Sequence, residues 1–412
     1  MTLNPTLPAL ALTRRRTIGG LAAAWISAHG AAAFAAAGTE RRFVVILLRG
    51  ALDGLAAVPP YGEKSLAELR GPLVPPPPGA PGGMFDLGGF FGLHPALPGL
   101  AGLYRTGELL IVHALAGATR SRSHFDAQDS LECGTPERIG SGWLNRVVAA
   151  LPPATGPTAE AMAVGVGLPL LLRGSAPAES WLPEGGGGPP AELLDRIGLL
   201  NAPDPALGPA IAQARRGREF AGSVLGGGPP GGGGPRAGGG PRAGTGPRGT
   251  AGLALQAGRL LAAPNGPRIA ALEIGGWDTH AAQATRLLGP LGELDATVMA
   301  LRAGLGEAWP KTVVLAATEF GRTVRINGTA GTDHGTAGVA FVAGGAVAGG
   351  KVAGAWPGLG PGKLLENRDL APTTDLRSVI AGVLAGQYRL GGKEFGGIFP
   401  GWNGSPASIC AT

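Results

Sequence analysis

Five short apolar runs set the architecture of this chain: Phe43 to Leu48, Leu109 to His113, Ile269 to Ile274, Thr312 to Ala316 and Val339 to Val342. Each is aliphatic or β-branched at nearly consecutive positions rather than alternate ones. Strands of that kind must be covered on both faces, which is the habit of a parallel sheet between helical layers. Helical candidates lie between them at Ala127 to Cys133, Trp143 to Ala150, Pro209 to Phe220, Pro290 to Gly304 and Leu376 to Leu384. Two of these open on Pro, which suits the first helical position. The alternation predicts an α/β fold, a three-layer sandwich with a mostly parallel central sheet, with ligands gathered at the carboxyl ends of the strands.

The 76 glycines and 38 prolines among 412 residues argue at first for disorder. A composition of 44% hydrophobic and 15% charged residues argues the other way, because such a chain can bury a core. Much of the excess is local: Gly226 to Gly249 holds 13 Gly and 5 Pro in 24 residues, with Pro-Arg recurring at 235–236, 241–242 and 247–248. No core forms from this, so it reads as a surface insertion within one domain. No strand precedes it and no Lys-Ser/Thr follows, so it is not a phosphate-binding loop. The formal charge of +6 is accounted for by Arg14, Arg15 and Arg16 and by Arg236, Arg242 and Arg248, which leaves a neutral body. With aromatic residues at 5%, no nucleic-acid face is expected.

The N-terminus carries Arg14-Arg15-Arg16, a short weakly apolar stretch and a small-residue site ending Ala35-Ala36-Ala37. Residues 1–37 therefore read as a cleaved signal peptide rather than a membrane span, cut after Ala37 or Ala35, and residues 38–412 as one mature domain. The arginines before a weak apolar region resemble a twin-arginine signal. That resemblance implies export of a folded protein by the twin-arginine translocation machinery, to the periplasm or the medium, with no membrane span in the mature form. There Cys133 and Cys410 either form a disulfide or stand as two incidental thiols.

Acids and histidines cluster just past the predicted strands. Asp53 follows the first strand and precedes Gly54, which suits either a metal ligand or a helix cap. In Gly275-Gly276-Trp277-Asp278-Thr279-His280, residues two apart on an extended segment face the same way, so Asp278 and His280 can share one ion; the alternative is a capping Asp and a packed His. Glu319 ends the Thr312 strand, and Asp333-His334 follows after a turn. Neighbours on an extended chain diverge, so either one of this pair binds metal while the other orients it from behind, or each serves a different ion; the alternative is a salt bridge from Arg322 to Asp333. The stretch Ser121-Arg122-Ser123-His124 opens a helix. Ser123 there is an N-cap or a nucleophile, and Arg122 is a holder of phosphate or sulfate.

Taken together, Leu-Arg-Gly-x-x-Asp-Gly-Leu at 48–55, Ser-Arg-Ser-His-Phe-Asp-Ala-Gln at 121–128, Gly-Gly-Trp-Asp-Thr-His at 275–280, Glu-Phe-Gly-Arg-Thr at 319–323 and Gly-Thr-Asp-His-Gly at 331–335 resemble the exported bacterial family called domain of unknown function 1501. Leu93 to Leu97 and Thr373 to Arg377 add to the likeness, which runs from Phe43 to Trp402 outside the glycine window. That family is similar to the alkaline phosphatase and sulfatase superfamily. The resemblance implies an alkaline phosphatase-like sandwich and a metal-dependent hydrolase of phosphate or sulfate esters, acting on a small-molecule or glycan substrate with one or two divalent ions. It assigns Asp53, Asp278, His280, Glu319 and His334 to metal, and Asp333 joins them from the residue reading. Phe320 stands where the superfamily places a ligand His, and the nucleophile helix offers Ser121, Ser123 or His124 as attacking group without the sulfatase cysteine pattern. The alternative is a non-catalytic exported binding protein that keeps the fold and a structural ion.

Overall fold

The computed structural model describes residues 40–152, 159–165, 167–183, 191–205, 207–226 and 249–410. The expected signal peptide and all but the two ends of the glycine window lie outside the described residues. The strands are β1 Arg42–Leu48, β2 Phe85–Asp86, β3 Gly92–Leu93, β4 Leu109–Ala116, β5 Ala161–Val164, β6 Ala178–Trp181, β7 Ile269–Ile274, β8 Thr312–Thr318, β9 Gly338–Ala343, β10 Lys351–Ala353 and β11 Thr374–Asp375. β2 and β3 make a small antiparallel ribbon. The rest form a nine-stranded sheet in the order β10-β4-β9-β8-β1-β7-β5-β6, with β11 beside β4. All its pairings are parallel except those of β9, which runs against both β4 and β8. The carboxyl ends of every sheet strand but β9 therefore lie along one edge, and β9 begins there.

Every residue of β1 is buried, and its alternate side chains enter different cores. Val44, Ile46 and Leu48 pack with Leu260, Leu294 and Leu301 from the helices Gly249–Ala262 and Leu288–Leu305. Phe43, Val45 and Leu47 pack with Trp143, Val147, Val379 and Val383 from the helices Trp143–Ala150 and Leu376–Tyr388. Helices thus cover both faces, and the layers are α, β, α, as consecutive apolar positions require.

Pro290 and Pro209 do not open their helices, which start two residues earlier at Leu288 and Leu207. First-turn N–H groups have no intrahelical partner, so Pro is tolerated there as well. The helix Gly249–Ala262 begins on the last residue of the glycine window. It packs against Leu288–Leu305 where Gly258 and Gly304 let the backbones meet: a Cβ on Gly258 would lie 2.8 Å from Leu301 O. Cys133 is buried and Cys410 half-buried, and the two are not joined in a disulfide. No helix among the described residues is long and apolar enough to cross a membrane.

His113 in β4 is fully enclosed, donating from Nε2 to Val58 O at 3.1 Å and accepting Ala114 N at Nδ1 at 2.9 Å. Burial outweighs its hydrogen bonds and pushes its pKa down to about 4. Between the unfolded value near 6.5 and that figure, the unfolded chain takes up a proton that the native one refuses. Stability from this group is therefore complete above about pH 6.5 and falls by roughly 3 kcal/mol as pH drops to 4. Urea titrations of His113→Gln should show a flatter decline over that window than the parent. Parallel declines would contradict the assignment.

Candidate metal centre

The loops after β1, β7 and β8 and the segment entering β9 are tied together by one guanidinium. Arg322, 2% exposed, donates from Nε to Ala51 O at 2.8 Å, from Nη2 to Gly50 O at 2.8 Å and Trp277 O at 3.0 Å, and from Nη1 to Thr332 O at 3.1 Å. Its Nη2 also pairs with Asp278 Oδ1 at 2.5 Å. These loops approach closely enough to need glycine. Gly50 has φ +118°, and a Cβ there would lie 2.8 Å from Asp278 N. A Cβ on Gly331 would lie 2.3 Å from the His280 carbonyl.

Three imidazoles ring the Asp278 carboxylate, and in each the Nδ1 is committed. His124 Nδ1 meets Glu319 Oε1 at 2.7 Å, His280 Nδ1 meets Asp333 Oδ1 at 3.1 Å, and His334 Nδ1 meets Arg122 O at 2.8 Å. Carboxylates and carbonyls only accept, so each Nδ1 carries the proton, and in the neutral ring each Nε2 presents a lone pair. The Nε2 atoms of His280 and His334 are 3.0 Å apart. They lie 3.0 and 3.3 Å respectively from Asp278 Oδ1. His124 Nε2 is buried without a hydrogen-bond partner, 3.7 Å from Asp278 Oδ2. Donor atoms of His124, Asp278 and His334 all fall within 4.8 Å of one another. Adjacent ligands on one tetrahedral ion with bonds of 2.0–2.1 Å stand about 3.3 Å apart, and the 3.7 Å between His124 Nε2 and Asp278 Oδ2 is close to that spacing. Acceptors crowd this point and Arg322 is the nearby donor, so the donor set fits a metal ion.

Burial opposes the charge on Glu319, but its own backbone N–H, Gln128, Thr318 and His124 outweigh that and hold its pKa below the usual range. Burial likewise works against Asp278, and the Arg322 guanidinium overcomes it, again lowering the pKa. Asp333 is lowered chiefly by its hydrogen bond from Asn327. Burial is the largest influence on His334 and lowers its pKa. Arg368 stands behind it, donating from Nη2 to His334 O at 2.8 Å. Phe320 supplies the apolar wall, with its ring centroid 5.0 Å from those of both His124 and His334. The outer side is open, Asp278 being 47% and His280 43% exposed.

Of the residues singled out in the sequence, Asp278, His280, His334 and His124 meet here, with Glu319 behind His124 and Asp333 behind His280. Asp53 is engaged elsewhere: Oδ1 caps the helix Gly54–Ala57 by accepting Leu55 N and Ala56 N, and Oδ2 pairs with buried Arg70 and with Gln283. Arg322 pairs with Asp278 rather than with Asp333. The Arg122 guanidinium is held by Asp369 and Glu366, both at 2.7 Å. Ser123 occupies the N-cap of the helix His124–Cys133, is exposed, and makes no side-chain cap hydrogen bond. Gln128 on Glu319 and Asn327 on Asp333 also support the site, Arg70 and Gln283 hold Asp53 apart from it, and no local motif marks any of the four.

The family model described as "Protein of unknown function (DUF1501)" matches residues 241–398. That stretch holds Asp278, His280, Glu319, Arg322, Asp333 and His334. No curated protein matches the chain. Among solved structures, the chain is similar to the C-terminal periplasmic domain of EcEptC from Escherichia coli in complex with Zn. The two share 9% identity over 73% of this chain and 72% of that one, with a TM-score of 0.32. A likeness that loose does not align side chains.

Replacing Arg322 with Met strips donors from four buried carbonyls and leaves Asp278 without its guanidinium. Its cost in urea unfolding is expected to be at least about 3 kcal/mol. A loss below about 1 kcal/mol would show that Arg322 does not hold these loops together.

Proposed function

We propose that this chain is a metal-dependent hydrolase of phosphate or sulfate esters with an alkaline phosphatase-like sandwich. His124, Asp278 and His334 would hold the divalent ion, and His280 would stand beside it. The observation that carries the reading is the set of imidazoles with Nδ1 protons fixed by Glu319, Asp333 and Arg122 O, and with Nε2 atoms turned on Asp278. Outer acceptors of this kind set the tautomer and raise the basicity of metal-binding histidines. An open outer face separates the arrangement from a closed structural site, which is four-coordinate and filled by protein ligands. A bound divalent ion would polarise an ester oxygen and offset charge developing there.

The chain's own residues have separate tasks. Arg322 fixes Asp278, Glu319 and Asp333 aim the rings, and Phe320 keeps water from the inner side of His124 and His334. In this proposal residues 1–37 direct export through the twin-arginine machinery to the periplasm or the medium. Residues 38–412 form one domain in which the Gly226–Gly249 segment is an insertion, and the substrate is a small-molecule or glycan ester.

One observation favours a second reading, a binding protein that keeps the ion. The Arg122 guanidinium is taken by Asp369 and Glu366, and the Ser123 hydroxyl has no neighbouring base among its described contacts, so neither an anion clamp nor an activated nucleophile is assembled. Assays with nitrophenyl phosphate, bis-nitrophenyl phosphate and nitrophenyl sulfate, with Zn²⁺, Mn²⁺ or Mg²⁺, separate the two. Hydrolysis is expected, with a loss of about 100-fold or more in Asp278→Ala or His334→Ala. A tightly held ion with no turnover of any ester would replace the hydrolase reading with the binding one.

A further inference from the structure

We infer that the centre takes a single divalent ion, because two resident arginines occupy the carboxylate oxygens that a second ion would need. The inference rests on the metal reading above and goes beyond it in fixing the count. Two-metal sites place their ions about 3.5–4 Å apart and need oxygen ligands for both. Four carboxylates past these strands were singled out as metal ligands in the sequence, and their partners can be followed in turn.

Asp53 is 1% exposed and saturated. Its Oδ1 accepts Leu55 N at 3.0 Å and Ala56 N at 3.2 Å, and its Oδ2 receives Arg70 Nη2 and Gln283 Nε2. Glu319 is equally spent: Oε1 accepts Gly50 N at 2.9 Å, Gln128 Nε2 at 3.1 Å and His124 Nδ1 at 2.7 Å, while Oε2 accepts Thr318 Oγ1 at 2.8 Å. Asp333 lies outward, 51% exposed, with Oδ1 on His280 and Asn327. Asp278 gives Oδ1 to Arg322 and keeps Oδ2 toward His124. A carboxylate that bridges two cations uses one oxygen for each. In Asp278 the guanidinium is one of those cations, and one oxygen remains for an ion.

Neither arginine is free to leave. Arg322 holds four backbone carbonyls, and Arg70, 1% exposed, also donates from Nη1 to Thr323 O at 3.0 Å and Val324 O at 3.2 Å. Removing one partner of a buried pair strands the other charge, so an incoming ion cannot cheaply displace either guanidinium. A second dication would also sit against the fixed positive charge of Arg322.

Native mass spectrometry and elemental analysis of the full chain, loaded with excess Zn²⁺ and desalted, read the count directly. One ion per chain is expected. Two per chain would overturn the inference while leaving the metal centre standing, and none would contradict the centre itself and this inference with it. The double variant Asp53→Leu with Arg70→Met removes the buried pair as a unit and is expected to keep one Zn²⁺ with affinity within about threefold of the parent. A folded double variant, shown so by circular dichroism, that binds Zn²⁺ more than about tenfold more weakly would make Asp53 a ligand and overturn the inference.

Discussion

The five-way hold of Arg322 on its surroundings is the constraint on which the rest of the site depends. A buried guanidinium survives only where its charge and its donors are answered, and here the loops themselves give the answer: carbonyls from Gly50, Ala51, Trp277 and Thr332, and the carboxylate of Asp278. Those groups come from segments more than two hundred residues apart in the chain. The parallel sheet brings their strand ends to one edge, and Arg322 converts that proximity into a fixed geometry. The acidic side of the site follows, since Asp278 stays ionised beside the guanidinium, with the imidazoles held around it from behind.

Each imidazole is in turn positioned from behind. Glu319 is buried and accepts hydrogen bonds from the backbone of Gly50 and from His124, so the β1 loop and the helix His124–Cys133 are coupled through one carboxylate. Asn327 holds Asp333 and the carbonyl of His280 together, which fixes the ring of His280 at its exposed rim. The loops can come this close because side chains are missing at Gly50, Gly331 and Gly335, where a Cβ would collide with the backbone of Asp278, His280 and Arg322. These three glycines therefore serve the centre.

The layering was legible because burial on both sheet faces leaves a local mark, consecutive aliphatic residues. The antiparallel course of β9 left no such mark, since strand direction depends on where neighbours lie and not on composition. The helix Gly249–Ala262 was hidden for a related reason: glycines that look like breakers are what let it press against Leu288–Leu305. At the site, Asp278, His280, Glu319, Asp333 and His334 stood out because acids and histidines past strand ends are uncommon for packing reasons alone. Their division of labour did not show. Asp53 fits a strand-end ligand pattern in sequence, yet its partner Arg70 lies seventeen positions later, in a short helix, with nothing to announce that it turns inward. The place of His124 beside Asp278 is likewise a product of tertiary structure.

The central claim is that a divalent cation belongs between His124, Asp278 and His334. Anomalous diffraction from crystals of the full chain grown with Zn²⁺ tests it most directly. The account predicts a peak within bonding distance of His124 Nε2, His334 Nε2 and Asp278 Oδ2, with Arg322 still on Asp278 Oδ1. A strong peak on Asp53, or clear density for these side chains with no peak between them, would contradict it.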